Sequence, residues 1–220
     1  MYLPEWEIIY SEILSDFDFS RNDDDSSARM LKILCMNSNL IADDVLENII
    51  CDHVTVFGNS DGLEDDIMKK GTSGTLISSG SAVGRILRLG LVPDIIVTDL
   101  DGDIEPQISA NVSGTIAILH AHGDNSELIQ KYATEFKGPV ILSTQSTPDN
   151  ILCNYGGFTD GDRCVCLARH FGARRILLLG FDLDDPNPRT TSDPELKRKK
   201  LQWAKKIIYS DGGNDIETVN

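Results

Sequence analysis

The chain has 220 residues, of which 40% are hydrophobic and 25% are charged, and its formal net charge is −15 at pH 7. This size and composition predict a globular protein with one large domain and at most a small added segment. The acidic balance argues against a nucleic-acid partner, which would need clustered Lys and Arg. No run approaches the roughly 20 apolar residues of a membrane span, and the acidic N-terminus does not resemble an export signal. Five scattered cysteines without a CxxC pair favour free thiols, so we expect a cytoplasmic protein.

Residues 1–50 form an N-terminal segment whose pattern is helical. Apolar residues at helical spacing over residues 6–17 predict a first helix. An acidic break follows, in which Asp25 or Ser26 is the predicted N-cap of a second helix. A third short helix is predicted over residues 42–50. The segment is either a small cap domain or a group of helices packed on the core.

Residues 51–220 show alternating strand and helix patterns and form the predicted catalytic domain. The strands are too continuously apolar to have one wet face, which is typical of a parallel sheet buried on both sides. We therefore predict an α/β fold with a doubly wound, mostly parallel sheet of about six strands. The predicted strands are Val54–Phe57, Thr75–Ser79, Ile95–Thr98, Thr115–Leu119, Val140–Ser143 and Ile176–Leu179. The predicted helices of this domain are Leu63–Lys70, Ser81–Leu89, Ser126–Phe136, Asp160–Phe171 and Pro194–Tyr209.

Polar side chains follow most of these strands, at the sheet edge where ligands bind in such folds. The strand ending at Thr98 runs into TDLDGD, with Asp99, Asp101 and Asp103 at alternate positions. Carboxylates spaced in this way can share one hard cation, and magnesium fits better than calcium, because Gly102 is fourth in the run, whereas an EF-hand loop has its glycine sixth. The alternative is an Asp-Gly turn with solvated acids.

The sequence HAHGDN follows the next strand and brings His120, His122, Asp124 and Asn125 to the same edge. An HxH pair can bind zinc, but no third zinc ligand stands at a recognisable spacing. Two interpretations remain open, namely imidazoles that donate hydrogen bonds to phosphate and side chains that cap the following helix.

Two further segments carry candidate phosphate ligands. GGFTDGDR opens a predicted helix, where free backbone N–H groups and Arg163 favour an anion. A glycine turn with a helix cap is the structural alternative. GFDLDD contains Asp182 and Asp184, which either complete a metal shell or pair with the basic residues of the last helix. Neither GxGxxG nor GxxxxGK[ST] is present, which excludes a dinucleotide-type Rossmann site and a P-loop.

The motifs PDIIVTDLDGD, HAHGDN, GGFTDGDRCVCLARHFGA and GFDLD, in this order, resemble those of the archaeal 6-hydroxymethyl-7,8-dihydropterin diphosphokinases. The likeness covers roughly residues 75–209, and the family is related in its catalytic fold to thiamin pyrophosphokinases. It implies magnesium-dependent transfer of diphosphate from ATP to a pterin alcohol, with release of AMP. One departure is SSGSAV at residues 78–83, where the family has an Ala-Asp-Gly-Ala-like turn.

The resemblance also assigns site residues. By match to its motifs, Asp99 and Asp101 would hold Mg²⁺. The chemistry of the reaction also needs a carboxylate near the alcohol to accept its proton, and Asp101 and Asp124 are the two candidates. The residues implied to line the nucleotide site are His120, His122, Asn125, Asp160, Asp162 and Arg163.

Two other functions remain open from the sequence. A thiamin pyrophosphokinase would carry a β-sandwich domain after the catalytic one, and only about 40 residues, most of them one helix, follow Leu179. A nucleotide-binding or glycan-modifying protein could use the same scaffold. The partners expected are ATP and the pterin alcohol, and the sequence is compatible with a homo-oligomer.

Overall fold

A parallel β-sheet lies at the centre of the protein in the computed structural model, which describes residues 3–184 and 193–219. The strands are β1 (His53–Phe57), β2 (Thr75–Ser79), β3 (Ile95–Thr98), β4 (Ile116–Ala121), β5 (Val140–Thr144), β6 (Leu152–Cys153), β7 (Arg175–Leu179) and β8 (Ile216–Thr218). The helices are α1 (Leu3–Phe17), α2 (Arg21–Leu34), α3 (Leu63–Lys70), α4 (Val83–Arg88), α5 (Ile104–Val112), α6 (Ser126–Tyr132), α7 (Asp160–His170) and α8 (Pro194–Ile208).

The predicted α/β fold class is confirmed, with more strands than expected. The eight described strands all pair in parallel in the order β6-β5-β4-β3-β2-β1-β7-β8. The six predicted strands form the middle of the sheet. The two additional strands, β6 and β8, lie at its edges and are only two and three residues long, too short to show an apolar period.

Three local predictions need correction. Helix α2 begins at Arg21 after its N-cap Ser20, not at Asp25 or Ser26, because Asp23 and Asp24 belong to its first turn, where the helix dipole favours negative charge. The helix predicted over residues 42–50 is a 3₁₀ helix, Asp43–Asn48. Helix α5 was not predicted, since its sequence IEPQISANV has a proline in the first turn and a weak apolar period.

The two faces of the sheet bury alternate residues of the same strands. On one face Val54, Val56 and Ile118 pack with Val165 and Leu167 of α7. The other face packs mainly against α2 and α6 around β4 and β5, and against α3 and α4 around β1 and β7. Because both faces are covered, the strands have no wet side, as their unbroken apolar sequences indicated.

The N-terminal helices pack directly on this α/β core. Trp6, Tyr10 and Ile13 of α1 form a buried cluster with Cys166 of α7 and Ile207 of α8. Helix α2 lies against β4, β5 and α6 through residues that include Ala28 and Leu31. None of the helices in the described ranges is long and apolar enough to cross a membrane.

The strand order reverses at β1, which has β2 on one side and β7 on the other. Ligands of doubly wound sheets bind in the crevice at such a reversal. Here the two strand ends approach closely, since a Cβ on Gly58 would lie 2.6 Å from the carbonyl oxygen of Gly180. Gly180 has φ of 73°, in the left-handed region that favours glycine.

Candidate active site

A cleft of about 740 Å³ opens at the carboxyl edge of the sheet, a volume typical of small-molecule sites. Its floor is formed by the loops that follow β1, β2, β3, β4, β5 and β7. The turn between α1 and α2, the start of α7 and one face of α8 form the walls. The predicted convergence of polar strand-end loops therefore occurs, and it is completed by elements from both ends of the chain.

Three carboxylates form a cluster on the cleft floor, and we call Asp99, Asp101 and Asp160 the carboxylate cluster. One oxygen of each lies within 4.8 Å of the others. Reduced solvation on the cleft floor raises the pKa of Asp101 to about 6, although its side chain stays accessible to solvent, and the neighbouring Asp99 carboxylate adds to this effect. Burial, then the charge of Asp99, also raises the pKa of Asp160 well above its usual range. Crowding of this kind is relieved when a cation binds between the carboxylates.

A tight turn, rather than the extended loop assumed from alternate spacing, directs Asp99 and Asp101 towards each other. The residue between them, Leu100, is buried and has φ of 69°, a conformation that non-glycine residues seldom adopt and that recurs at functional sites. Gln107 of α5 stabilises the turn by donating hydrogen bonds to the carbonyls of Asp101 at 2.9 Å and Asp103 at 3.2 Å. Asp103 itself is exposed and immediately precedes α5.

His122 contacts the carboxylate cluster directly. Its Nε2 lies 3.3 Å from Oδ2 of Asp99, and its Nδ1 accepts a hydrogen bond from the backbone N–H of Asp124 at 3.3 Å. This pattern places the ring proton on Nε2, which donates to Asp99. Burial favours a higher pKa for Asp99, but the hydrogen bond from His122 and nearby positive charge outweigh it and lower that pKa. His122 thus keeps Asp99 ionised.

Asn125 is buried beneath the cleft and joins the ends of β3 and β4. Its side-chain amide donates to the carbonyls of Asp99 at 2.9 Å and His120 at 2.8 Å, and its Oδ1 accepts from the N–H of His122 at 3.0 Å. Both the NH₂ group and the oxygen of the Asn125 side chain are therefore hydrogen-bonded to backbone groups of the protein. The structure therefore gives Asn125 a role in fixing the positions of the ligands.

His120 lies behind the cleft floor. It is buried, its Nδ1 is 3.0 Å from Oγ of Ser143, and it borders a separate cavity of about 10 Å³ next to Arg163. Burial, together with the positive charge of Arg163, lowers its pKa well below the usual range. His120 is therefore a neutral, enclosed side chain that packs beneath the cleft floor.

The start of α7 contributes one cluster carboxylate and a helix cap. The Asp162 carboxylate accepts from the N–H groups of Phe158 at 2.6 Å and Thr159 at 2.8 Å, which is the capping-box arrangement. Arg163 donates from Nη1 to Asp160 at 2.9 Å and from Nη2 to Gln145 at 3.3 Å. Asp162 therefore forms the helix start, and Arg163 holds Asp160 in place.

A model of the family "6-hydroxymethylpterin diphosphokinase MptE-like" matches residues 29–188 of the chain. The chain belongs to this family. Proteins of Methanocaldococcus jannaschii and Pyrococcus furiosus, both named 6-hydroxymethyl-7,8-dihydropterin pyrophosphokinase, are each 37% identical to it over 94% of its length, covering 95% and 93% of their own. The resemblance found in the motifs is thereby confirmed.

Among solved structures, the MAf glycosyltransferase of Magnetospirillum magneticum AMB-1 aligns with a TM-score of 0.44 at 20% identity. The alignment covers 64% of this chain and 24% of the glycosyltransferase. A likeness this distant says nothing about the activity of the MptE-like chain.

The MptE-like cleft also contains residues that sequence reasoning missed. Asp24 of α2 is only 3% exposed and accepts hydrogen bonds from the N–H of Gly123 at 2.6 Å, from Gln145 at 2.9 Å and from the Tyr10 hydroxyl. It belongs to an acidic run that shows no motif spacing, so nothing in the sequence separates it from its solvated neighbours. Asp124, by contrast, was predicted and lies exposed in the loop after β4, within the cleft.

Aromatic side chains supply the apolar part of the MptE-like cleft. Phe19, Phe158 and Phe181 all line it. The rings of Phe19 and Phe158 lie 6.5 Å apart, and Phe17 packs against both. The Phe181 ring would be 3.0 Å from a Cβ on Gly58 and 2.9 Å from one on Gly161, so small residues are needed on both sides of it.

Proposed function

We propose that this MptE-like chain transfers diphosphate from ATP to the hydroxymethyl group of a 6-hydroxymethyl-7,8-dihydropterin, giving the pterin diphosphate and AMP. The observation that carries the proposal is the carboxylate cluster on the floor of a 740 Å³ cleft, in a chain 37% identical to proteins named for this activity. A cleft of that size has room for a nucleotide beside a small heterocycle.

The donor atoms of the cluster support magnesium as the cation. Asp99, Asp101 and Asp160 offer carboxylate oxygens without a thiolate or an imidazole among the three, which suits a hard cation rather than zinc. His122 donates to Asp99 and Arg163 donates to Asp160, so two of the three carboxylates are oriented by outer hydrogen bonds. Magnesium bound here neutralises charge on phosphate oxygens.

In the proposed reaction the alcohol oxygen of the acceptor attacks the β-phosphorus of ATP. The bond from the β-phosphorus to the oxygen that bridges it to the α-phosphorus breaks, and AMP leaves with that oxygen. Catalysis of such a transfer depends mainly on positioning and on stabilising charge. The proton of the alcohol goes to a carboxylate, for which we propose Asp124, because it lies exposed in the loop after β4, within the cleft but outside the cluster that holds the cation.

The aromatic lining of the cleft suits a flat heterocycle as acceptor. Phe19 and Phe158 offer apolar cover for the faces of such a ring. The two tryptophans lie outside this lining as formed by the described residues: Trp6 is buried and donates to the Gln145 carbonyl at 2.8 Å, and Trp203 donates to Asp16 at 2.7 Å.

Product analysis by mass spectrometry tests the proposal. Purified protein is incubated with ATP, MgCl₂ and either the reduced pterin alcohol or thiamin. We expect AMP and pterin diphosphate in equal amounts, with kcat/KM for the pterin at least about tenfold above that for thiamin. AMP with thiamin diphosphate and no pterin diphosphate would overturn the acceptor. ATP binding without turnover on either alcohol would instead indicate a nucleotide-binding or glycan-modifying protein.

A further inference from the structure

The basic residues of α8 are divided between two faces of the helix. One face is neutralised by the N-terminal helix α1: Lys199 pairs with Asp16 at 3.0 Å, and Lys206 pairs with Glu12 at 2.7 Å. A third lysine, Lys205, pairs with the loop after β7. These ion pairs anchor α8 to its neighbours, and each uses a lysine that points away from the cleft.

The other face of α8 lines the cleft and carries two lysines. Lys197, Lys200, Leu201 and Ala204 stand at the i, i+3, i+4 and i+7 positions of one helix stripe, and all four border the cleft. Both lysines are half-buried. Neither has a carboxylate partner within the described ranges, and the Nζ of Lys200 lies 5.9 Å from the ring centroid of Phe158, another cleft residue.

The other basic side chains that line the cleft, among the residues that the structure describes, are already engaged. Arg163 is paired with Asp160, and His122 is hydrogen-bonded to Asp99. The charge of Lys197 acts on the Asp101 carboxylate of the cluster, and neither lysine forms an ion pair with a carboxylate in the described part of the chain. Their charge is available for an anion bound in the cleft, and an extended polyphosphate can reach both the carboxylate cluster, through its cation, and the α8 wall.

We propose that Lys197 and Lys200 bind the β- and γ-phosphates of the donor nucleotide from the α8 wall of the cleft. These two phosphates are transferred together to the acceptor, so the lysines would position the transferred diphosphate and stabilise its negative charge. The inference rests on the proposed function for the identity of the donor. Lysine suits this role as a flexible point charge, which can follow a phosphate as its bonding changes.

Calorimetry with three probes tests the inference on the complete chain in MgCl₂. The probes are α,β-methylene-ATP, which cannot be cleaved between its α- and β-phosphates, inorganic tripolyphosphate and AMP. The variants are Lys197→Met, Lys200→Met and the double variant, which keep much of the aliphatic stem. Lys206→Met is the matched control, because it removes a lysine of the same helix that pairs outside the cleft.

We expect each cleft variant to bind α,β-methylene-ATP and tripolyphosphate about tenfold more weakly than wild type, as loss of a charge-assisted contact predicts. AMP affinity should change by less than about twofold, because AMP lacks the β- and γ-phosphates. The control should match wild type with all three probes. Lys197→Arg and Lys200→Arg, which retain the charge, should recover most of the affinity and guard against a folding artefact.

The outcomes separate this inference from the proposed function. Wild-type affinity for both polyphosphates in folded Lys197→Met and Lys200→Met would overturn the assignment of the lysines. If wild-type protein binds tripolyphosphate but not the ATP analogue, and the variants lose that binding, the lysines stand and ATP as donor falls. Wild-type protein that binds neither polyphosphate would overturn both. Retained lysine effects without pterin turnover would overturn only the acceptor.

Discussion

The buried carboxylate of Asp24 accepts a hydrogen bond at 2.9 Å from the side chain of Gln145, which joins the first turn of α2 to the end of β5. Gln145 in turn accepts from Arg163, and Arg163 donates to Asp160 of the carboxylate cluster. A continuous hydrogen-bonded path therefore runs from the N-terminal helices to the proposed cation site. The N-terminal segment is part of the machinery that positions the cluster.

This path predicts that Asp24→Ala lowers both stability and turnover. The substitution leaves the N–H of Gly123, the Gln145 amide and the Tyr10 hydroxyl without their acceptor, and each unsatisfied buried donor costs about 1–3 kcal/mol in the free energy of unfolding. Asp24→Asn keeps one acceptor oxygen and should lose less. Asp25→Ala, the neighbouring acid, should change stability by less than about 0.5 kcal/mol. Urea denaturation with steady-state kinetics checks this, and equal stability of wild type and Asp24→Ala would contradict it.

The carboxylate cluster predicts a strict requirement for a hard divalent cation. Activity should vanish in EDTA and return with MgCl₂, and Asp101→Asn should reduce kcat on the order of 100-fold while the protein stays folded. Asp103→Asn is the control, since Asp103 is exposed beside α5 and outside the cluster, and its effect should stay within a few-fold. Near wild-type turnover of Asp101→Asn, or full activity in EDTA, would show that the acids merely form a turn.

The parts of the site that the sequence predicted are those fixed by local pattern. Asp99 and Asp101 follow a buried apolar strand, and the carboxyl ends of parallel strands meet at one edge, so their position follows from the fold. Asp24, Lys197 and Lys200 reach the same cleft through packing of helices from opposite ends of the chain. Residues that meet in space but lie more than 100 positions apart in the sequence form no recognisable motif. The sequence therefore does not distinguish these three residues from charged residues on a solvated surface.

The structure surrounds two of the predicted nucleotide-site residues with protein groups, and their contact with a nucleotide stays a prediction. His120 was expected to line the nucleotide site because it alternates with His122, but β4 extends to Ala121, so His120 is still within the strand and is buried. Asn125 was likewise expected to contact the nucleotide and instead bonds to backbone. A motif places a residue near a site, whereas its side-chain direction depends on where the strand ends and on which neighbours need hydrogen bonds.

The close approach of β1 and β7 predicts that Gly58→Ala is destabilising. The added methyl group would lie 2.6 Å from the Gly180 carbonyl oxygen and 3.0 Å from the Phe181 ring, so the two strand ends must separate. We expect a loss of about 1–3 kcal/mol, as for other overpacked sites. Gly62→Ala is the control, because no atom lies within 4 Å of the Cβ position there and its φ is −79°. Equal melting temperatures for the two variants would contradict the prediction.

The proposed proton acceptor predicts a distinct kinetic pattern for Asp124→Asn. If Asp124 removes the proton of the alcohol, kcat should fall by about 100-fold, with little change in the MgCl₂ concentration needed for half-maximal rate. Asp101→Asn should instead raise that concentration, because Asp101 is proposed to hold the cation. A shift in magnesium dependence for Asp124→Asn, or an unchanged kcat, would move the role of base away from Asp124.

The last prediction concerns Arg163, for which sequence and structure suggest different contacts. A phosphate contact, expected from its place at a helix start, predicts a higher KM for ATP when the side chain is changed. The hydrogen bonds to Asp160 and Gln145 predict that Arg163→Lys lowers kcat about tenfold and raises the MgCl₂ concentration needed for half-maximal rate, because one ammonium cannot replace a forked guanidinium at both partners. The KM for ATP should stay within about twofold of wild type. Kinetics at varied MgCl₂ and ATP separate the two roles. A tenfold rise in KM for ATP with unchanged magnesium dependence would establish the phosphate contact instead.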